Sequence, residues 1–276
     1  MSAIITDQLR ILNCENFSAG VASTSNSYYA WIGLPNASDF QSDWDSNPPA
    51  PKDAFSEEND YWDTMIALKK INAADISRVV RKIDWTSGTT FEMYRDDYSR
   101  SNISPQTSST TLYDANYYIM NQDYRVYICL QNGTNPENTE GRPSLDEPLF
   151  TDLEPRSAGA SGDGYVWKYL FTINPSQLIK FDSTSFIPLP ADWSTSGDVA
   201  SVRNNASTSG QLKIVTITGR GVGYGTAATY NNVPILGDGQ GGKCSVVVNA
   251  AGKIDSVEVT SGGSEYTFAN VGLANV

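Results

Sequence analysis

Two aspartates of this chain sit inside glycine turns, Asp163 in SGDGYVW and Asp238 in LGDGQGG, and a further glycine cluster, GRGVGYG, spans Gly219–Gly225. Stretches of this kind suit the binding of a phosphate, a dinucleotide or a calcium ion. A phosphate-gripping loop works because its amides, and the amino end of the helix that follows, point at the anion. Gly162-Asp163-Gly164 runs instead straight into YVWKYLFTI, which alternates as a strand does, so its glycines read as turn residues that supply positive φ. Gly219–Gly225 lacks both a following helix and the acidic residue about twenty positions on that a dinucleotide loop uses. Neither Asp163 nor Asp238 belongs to the run of alternating acidic ligands that calcium requires.

Asp96-Asp97 and Glu57-Glu58 are adjacent carboxylates. Neighbours on a strand face opposite ways, whereas a retaining glycosidase needs carboxyls about 5 Å apart across a sugar, so surface charge is the role their spacing supports. Trp31, Trp44 and Trp193 are large enough to stack on sugars, but large aromatics are first of all core and interface material. The sequons at Asn36, Asn102, Asn132 and Asn205 carry meaning only behind a secretory signal. The chain has no histidine, which excludes Ser-His-Asp, Cys-His and His-zinc chemistry together. No catalytic, cofactor-binding or metal-binding residue is expected, and no enzyme.

The net charge of −12, from 31 acidic and 19 basic residues, argues against nucleic acid as a partner, since phosphate binding needs a basic footprint. Cys14, Cys129 and Cys244 stand far apart, an odd number with no C-x-x-C, which suggests neither a disulfide framework nor a thiolate zinc site. No leader pattern opens the sequence and no run nears the roughly 20 apolar residues that span a bilayer, so a soluble chain made in a cytoplasm, without a membrane partner, is expected.

The elements that would position these residues read as follows. Residues 1–27 form an N-terminal arm, with SAGVASTSNS lacking periodicity, and Tyr28–Leu34 is a short aromatic strand closed by Pro35. A loop with Pro48 and Pro51 follows; its P-x-x-P reads as a connector. SEENDYWDTMIALKKI, from Ser56 to Ile71, carries a cap, an acidic first turn and a Tyr61, Met65, Leu68 stripe, which predicts a helix. ISRVVRKIDW is expected to be extended. Tyr113–Leu130 holds two β-prone stretches around Asn121, Gln122 and Asp123, hairpin spacing. From Gln131 to Ser161 a long polar passage, rich in proline, is expected to lack regular structure and to be functional or a contact arm. In the strand after it, Tyr165, Trp167, Tyr169, Phe171 and Ile173 share one face.

From Gln211 the composition turns to glycine and valine. VTITGRGVGY (Val215–Tyr224) returns 42 positions on as VEVTSGGSEY (Val257–Tyr266), with Val215/Val257, Thr218/Thr260, Gly221/Gly263 and Tyr224/Tyr266 in register. Each copy reads as a strand, a glycine turn and a tyrosine. The second stops soon after its tyrosine, which points to capping by another subunit or to truncation. The fold expected is mainly β (α+β with few helices): a β-sandwich-like domain over 28–195 with long loops, then short Gly/Val-rich β repeats over 211–276.

SGDGYVWKYLFTINPSQLIKF and FIPLPADW, with YYAWIGLP, NPPAP and VVRKIDW upstream, resemble the baseplate wedge proteins (gene product eight) of T-even-like contractile-tailed bacteriophages. The likeness covers Tyr28 to Trp193, and Gly162–Phe171 is its most specific part. It implies a non-enzymatic, mostly β virion protein that forms a homodimer, joins other baseplate wedge proteins into the arms of the tail baseplate, and is assembled in the host cytoplasm. The chain departs from that pattern after about Ser194, where the glycine-valine repeat replaces the family's usual return to the first domain. The loops 131–162 and 36–56 are then expected to meet other wedge subunits, and a chain lacking 138–158 to fold but fail to join wedges. Alternative readings are a carbohydrate- or receptor-binding tail module, or a carboxylate glycosidase or lyase.

Overall fold

The computed structural model describes residues 7–33, 62, 65–94, 115–135, 137–194 and 197–275. It is mainly β, with antiparallel sheets and three α-helices among the described residues. Two compact units divide the chain, Met1–Ser77 and Arg78–Val276.

In the first unit, α1 (Asp7–Ala22) precedes β1 (Tyr28–Gly33), which pairs antiparallel with β2 (Met65–Ile71). Helix α1 takes in residues 18–22 of the stretch expected to be aperiodic. Over Met65–Ile71 strand β2 overturns the helix expected over 56–71, while Trp62 is helical: Leu68 lies opposite Trp31, Lys70 opposite Tyr29 and Ala67 opposite Ile32. The reason is partner supply. A stripe at spacings of three and four is also compatible with a strand over a few residues, and a short isolated helix is marginal in water, whereas a ladder against Tyr28–Gly33 satisfies the backbone. Ser56, Glu57, Glu58 and the Pro48–Pro51 loop lie outside the described residues.

In the second unit, β3 (Val79–Arg81), β4 (Tyr118–Met120), β5 (Arg125–Asn132) and β6 (Tyr165–Thr172) come first. The expected hairpin is β4–β5, with Asn121 as its knot: its side-chain oxygen accepts from Asp123 N at 3.0 Å and Arg125 N at 2.9 Å. Strand β6 adds to β5, giving the order β4-β5-β6. After β6 come α2 (Pro175–Phe181), capped by Asn174 and started by its proline, and β7 (Phe186–Pro188), which pairs with β3.

Two apolar clusters are built around these strands. Tyr127, Cys129, Tyr165, Trp167 and Tyr169 pack with Phe91; Met120, Val126, Phe171 and Ile173 pack with Ile187 from β7. The single face expected for Tyr165–Ile173 is therefore divided. Register slips between the pairs Tyr127↔Tyr169 and Val126↔Phe171, which leaves Leu170 as an extra residue. A bulge of this kind turns the residues beyond it, so Phe171 shares a face with Val126 instead of with Tyr169. Trp167 stacks on Tyr165 with ring centroids 5.3 Å apart and meets Phe91 edge-on at 5.7 Å.

The expected passage 131–161 opens on the last two residues of β5, Gln131 and Asn132; from 133 on, its described residues hold no strand or helix beyond isolated bridges, but it is fastened down. Arg156 bridges to Trp167, Ser144 is buried and pairs with the backbone of Gly88 and Thr89, and Trp85 Nε1 donates to Ser144 Oγ at 3.0 Å. Tyr127 Oη donates to Phe150 O at 2.6 Å, and Lys168 Nζ to Leu153 O at 2.9 Å. The packing weighs against the expectation that 138–158 can be deleted from a folded chain, because Phe150, Leu153 and Ala158 of that segment pack on the aromatic cluster.

Helix α3 (Gly197–Asn205) leads to β8 (Ala228–Gly237), β9 (Gln240–Val248), β10 (Ile254–Ser264) and β11 (Ala269–Val271), in the sheet order β10-β9-β8-β11. The two repeat copies fall here, and they differ in secondary structure: Val257–Ser264 lies in β10, while Val215–Tyr224 forms no strand. Their local shapes still match. Gly221 and Gly263 have φ of 58° and 59°, and Gly210 and Gly252, also 42 positions apart, have φ of 63° and 66°. Four backbone hydrogen bonds join the copies in exchanged pairs. Leu212 N donates to Gly262 O as Ile254 N donates to Arg220 O, and Tyr224 N donates to Gly252 O as Tyr266 N donates to Gly210 O. Moving each partner by 42 positions converts one bond of a pair into the other. The copies therefore run antiparallel about a local two-fold axis between Thr216 and Glu258, around a core of Val233, Ile235, Cys244, Val246, Ile254 and Val257.

Candidate assembly surface

The glycine turn before β6 shows what its aspartate does. Gly162 and Gly164 both have positive φ, 68° and 85°. Between them Asp163 is buried, its Oδ1 accepting from Tyr165 N at 3.0 Å and its Oδ2 from Leu145 N at 2.8 Å. The carboxylate thus starts the strand and ties the 131–161 passage to it. A strand follows, so no helix amino end faces the turn. Asp238 has the same kind of work at the β8–β9 turn, where its Oδ1 accepts from Thr267 N at 2.9 Å and Phe268 N at 3.2 Å. The Thr267 hydroxyl and these amides hold its carboxyl down to about 2. Both aspartates serve the backbone.

The remaining sequence candidates disperse. Asp96, Asp97, Trp44, Asn36 and Asn102 lie outside the described residues. Asn132 is fully buried and donates to Phe91 O at 2.8 Å, and Asn205 donates to Glu154 Oε1 at 2.6 Å. Trp193 packs edge-on against Phe171, with centroids 5.5 Å apart. Trp31 is exposed on β1. Cys129 and Cys244 are buried free thiols, and burial raises Cys244 to about 11. Among the described residues, no three His, Cys, Asp or Glu side chains converge on a point that suits a metal, and no helix is long and apolar enough to cross a membrane.

A polar cleft of about 370 Å³ opens between the 131–164 passage and β10. The carboxylates that line it have partners: Asp255 pairs with Arg220 and lies 4.0 Å from Arg142, Asp163 accepts from Leu145 N at 2.8 Å, and Glu258 Oε1 accepts from Ser157 N at 3.1 Å. Beyond the lining, Glu137 pairs with Arg220 at 3.4 Å and with Lys253 at 3.0 Å. Lys168 lies nearby under the sheet, where burial lowers its affinity for a proton, and Lys213 reaches Glu154 at 2.7 Å. These contacts clamp the passage to the repeat region and engage the carboxylates that line the cleft.

What the surface does offer is apolar area, which sequence periodicity could not reveal because it depends on what is left uncovered. In the first unit Tyr28, Tyr29, Trp31 and Ile32 on β1 and Ile66 and Leu68 on β2 are all exposed, as are Leu9, Ile11, Leu12 and Phe17 on α1. A two-stranded hairpin is marginal in water by itself, and clustered exposed aromatics mark a surface that a partner covers. In the second unit Leu145, Leu149, Ile179, Val222 and Phe268 are exposed.

A mainly β chain whose acidic and glycine-rich motifs serve its own backbone, and which shows large apolar side chains to solvent, has the character of an assembly protein. Comparison with known proteins points the same way. The chain is 26% identical over 214 residues to baseplate wedge protein gp8 of Enterobacteria phage T4, a match that takes in 68% of this chain and 60% of that protein. The chain thus spans less than two thirds of the length of the curated relative it matches. This agrees with the resemblance carried by Gly162–Phe171 and its companion segments. No family model matches the chain.

Proposed function

We propose that this chain is a structural subunit of a contractile phage tail baseplate, residing in the virion tail, where it assembles with other wedge proteins and helps to transmit the contraction trigger. The similarity to the T4 wedge protein carries this reading. The exposed Tyr29, Trp31, Ile32 and Leu68 support it, because assembly interfaces draw on aromatic and aliphatic anchors that a monomer leaves in water. A homodimer is part of the proposal and uses the same kind of surface. The chemistry of such a protein is burial of surface against neighbours, and it catalyses no reaction.

The test is reconstitution. The purified chain is mixed with the other wedge proteins of its own phage and the products are sized by native mass spectrometry and negative-stain microscopy. A complex containing this chain in fixed stoichiometry is expected. If the chain stays outside every wedge complex and instead retains host glycans on an array, the carbohydrate- or receptor-binding reading replaces this one.

A further inference from the structure

Four polar side chains meet where the aromatic cluster borders the repeat region, and the wedge reading uses none of them. Lys168 stands in the middle of β6, Glu154 in the 131–161 passage, Asn205 at the last residue of α3, and Lys213 in the stretch that follows. The Asn205 carboxamide is the centre of the group. Its Nδ2 donates to Glu154 Oε1 at 2.6 Å, while its Oδ1 accepts from Lys213 Nζ at 3.0 Å and from Lys168 Nζ at 3.4 Å. Lys213 Nζ also donates to Glu154 Oε2 at 2.7 Å, and Lys168 Nζ to Leu153 O at 2.9 Å.

The two lysines are not alike. Lys168 is 8% exposed, and burial first, the neighbouring Lys213 charge second, lower its affinity for a proton. Lys213 holds the ion pair with Glu154. Burial works to raise the Glu154 carboxyl, but hydrogen bonds from Lys213 and Asn205 outweigh it and keep the group below the usual carboxylate range. An amine that gives up its proton readily, an amide oxygen gripped by an ammonium, and an ionised carboxylate on the amide nitrogen are the parts of an acyl transfer.

We propose that Lys168 and Asn205 join in an isopeptide bond, which the folded chain forms by itself. The neutral Lys168 amine attacks Asn205 Cγ, forming the Nζ–Cγ bond and pushing the carbonyl electron pair onto Oδ1, where the Lys213 ammonium balances the charge. Glu154 takes a proton from Nζ and delivers it to Nδ2. The Cγ–Nδ2 bond then breaks with its electron pair on nitrogen, ammonia leaves, and the carbonyl re-forms. No oxidant or co-reactant is needed, and Glu154, its side chain 47% exposed, gives ammonia a way out to water. Each chain reacts once on its own residues, so this is a maturation step and no turnover follows. The product ties β6, which carries Tyr165, Trp167 and Tyr169 of the aromatic cluster, to the end of α3. The inference rests on this cluster alone and stands apart from the wedge assignment.

The purified full chain, incubated at neutral pH and then denatured, is weighed by intact-mass spectrometry. It should be lighter than its sequence by one molecule of ammonia, and trypsin should release a branched peptide joining Ser157–Lys180, uncut after Lys168, to Asn204–Lys213. Glu154→Gln keeps the shape of the side chain but cannot carry the proton, and Lys168→Arg keeps a cation but no attacking amine. Both should retain the full sequence mass and give no branched peptide, with the near-ultraviolet circular dichroism of the buried aromatics unchanged. Lys213→Gln should slow bond formation by at least about ten-fold. The full sequence mass in the parent chain, loss of ammonia without the branched peptide as when Asn205 cyclises on its own backbone, a bond from Lys213 instead of Lys168, or bond formation at the parent rate in Glu154→Gln would each overturn the proposal.

Discussion

Gly164 carries more of the fold than its size suggests. Its φ is +85°, and a Cβ built on it would lie 2.8 Å from the Cα of Gly133, so the two backbones touch where β5 ends and β6 begins. Gly162, two residues earlier, has φ of +68° but open space around the same position. The two are a controlled pair. Gly162→Ala should cost about 1 kcal/mol, the left-handed conformation alone. Gly164→Ala adds a backbone clash that no side-chain rotation relieves and should cost at least about 3 kcal/mol. Urea denaturation followed by tryptophan fluorescence measures both; equal costs would mean that the Gly133 contact relaxes freely. The turn's role was legible in the sequence because a strand pattern follows it. The Gly133 contact was not, because it joins residues 31 positions apart.

Among the elements, what could be read depended on whether the deciding neighbour was local. Strand β6 announced itself by alternation, and the β4–β5 hairpin by Asn121-Gln122-Asp123, since both signals lie within a few residues. The bulge at Leu170 depends on the register with β5, and the strand state of Met65–Ile71 on pairing with Tyr28–Gly33, so neither is written locally. The repeat was visible as sequence, yet only the copy that finds β9 as a partner becomes a strand. Asp238 shows how such partners are held. Its carboxylate fastens the Thr267–Phe268 loop ahead of β11 to the turn between β8 and β9. With its carboxyl held down to about 2 against an ordinary value of about 3.9, folding favours the ionised form. The stabilisation is therefore complete above about pH 5 and is lost as pH falls through the window from about 4 to 2. Melting temperatures measured from pH 7 to pH 2 should show Asp238→Asn below the parent at neutral pH and converging on it at the acid end. Parallel curves would mean that the carboxylate contributes nothing through its charge.

At the scale of the whole molecule, charge and apolar exposure have to be taken together. The net charge of −12 opposes association between copies of the chain, and this works against the exposed Trp31, Ile32, Ile66 and Leu68 of its hairpin, which favour it. Fully burying one such side chain is worth about 1.5–3 kcal/mol, so even a few of them outweigh the repulsion once a complementary surface is presented, and screening by salt tilts the balance further. The hairpin should then matter for association and little for the folding of Arg78–Val276, whose aromatic cluster of Phe91, Tyr127, Tyr165 and Trp167 is enclosed within that unit. Replacing Trp31, Ile32 and Leu68 together by Asn should leave the near-ultraviolet circular dichroism of the buried aromatics unchanged. It should lower self-association in sedimentation equilibrium and incorporation into wedge complexes by at least ten-fold, with the deficit in the parent's favour growing as salt is added. If the triple variant associates as the parent does, these side chains face solvent in the assembled state too, and the contacts that build the assembly lie on the second unit.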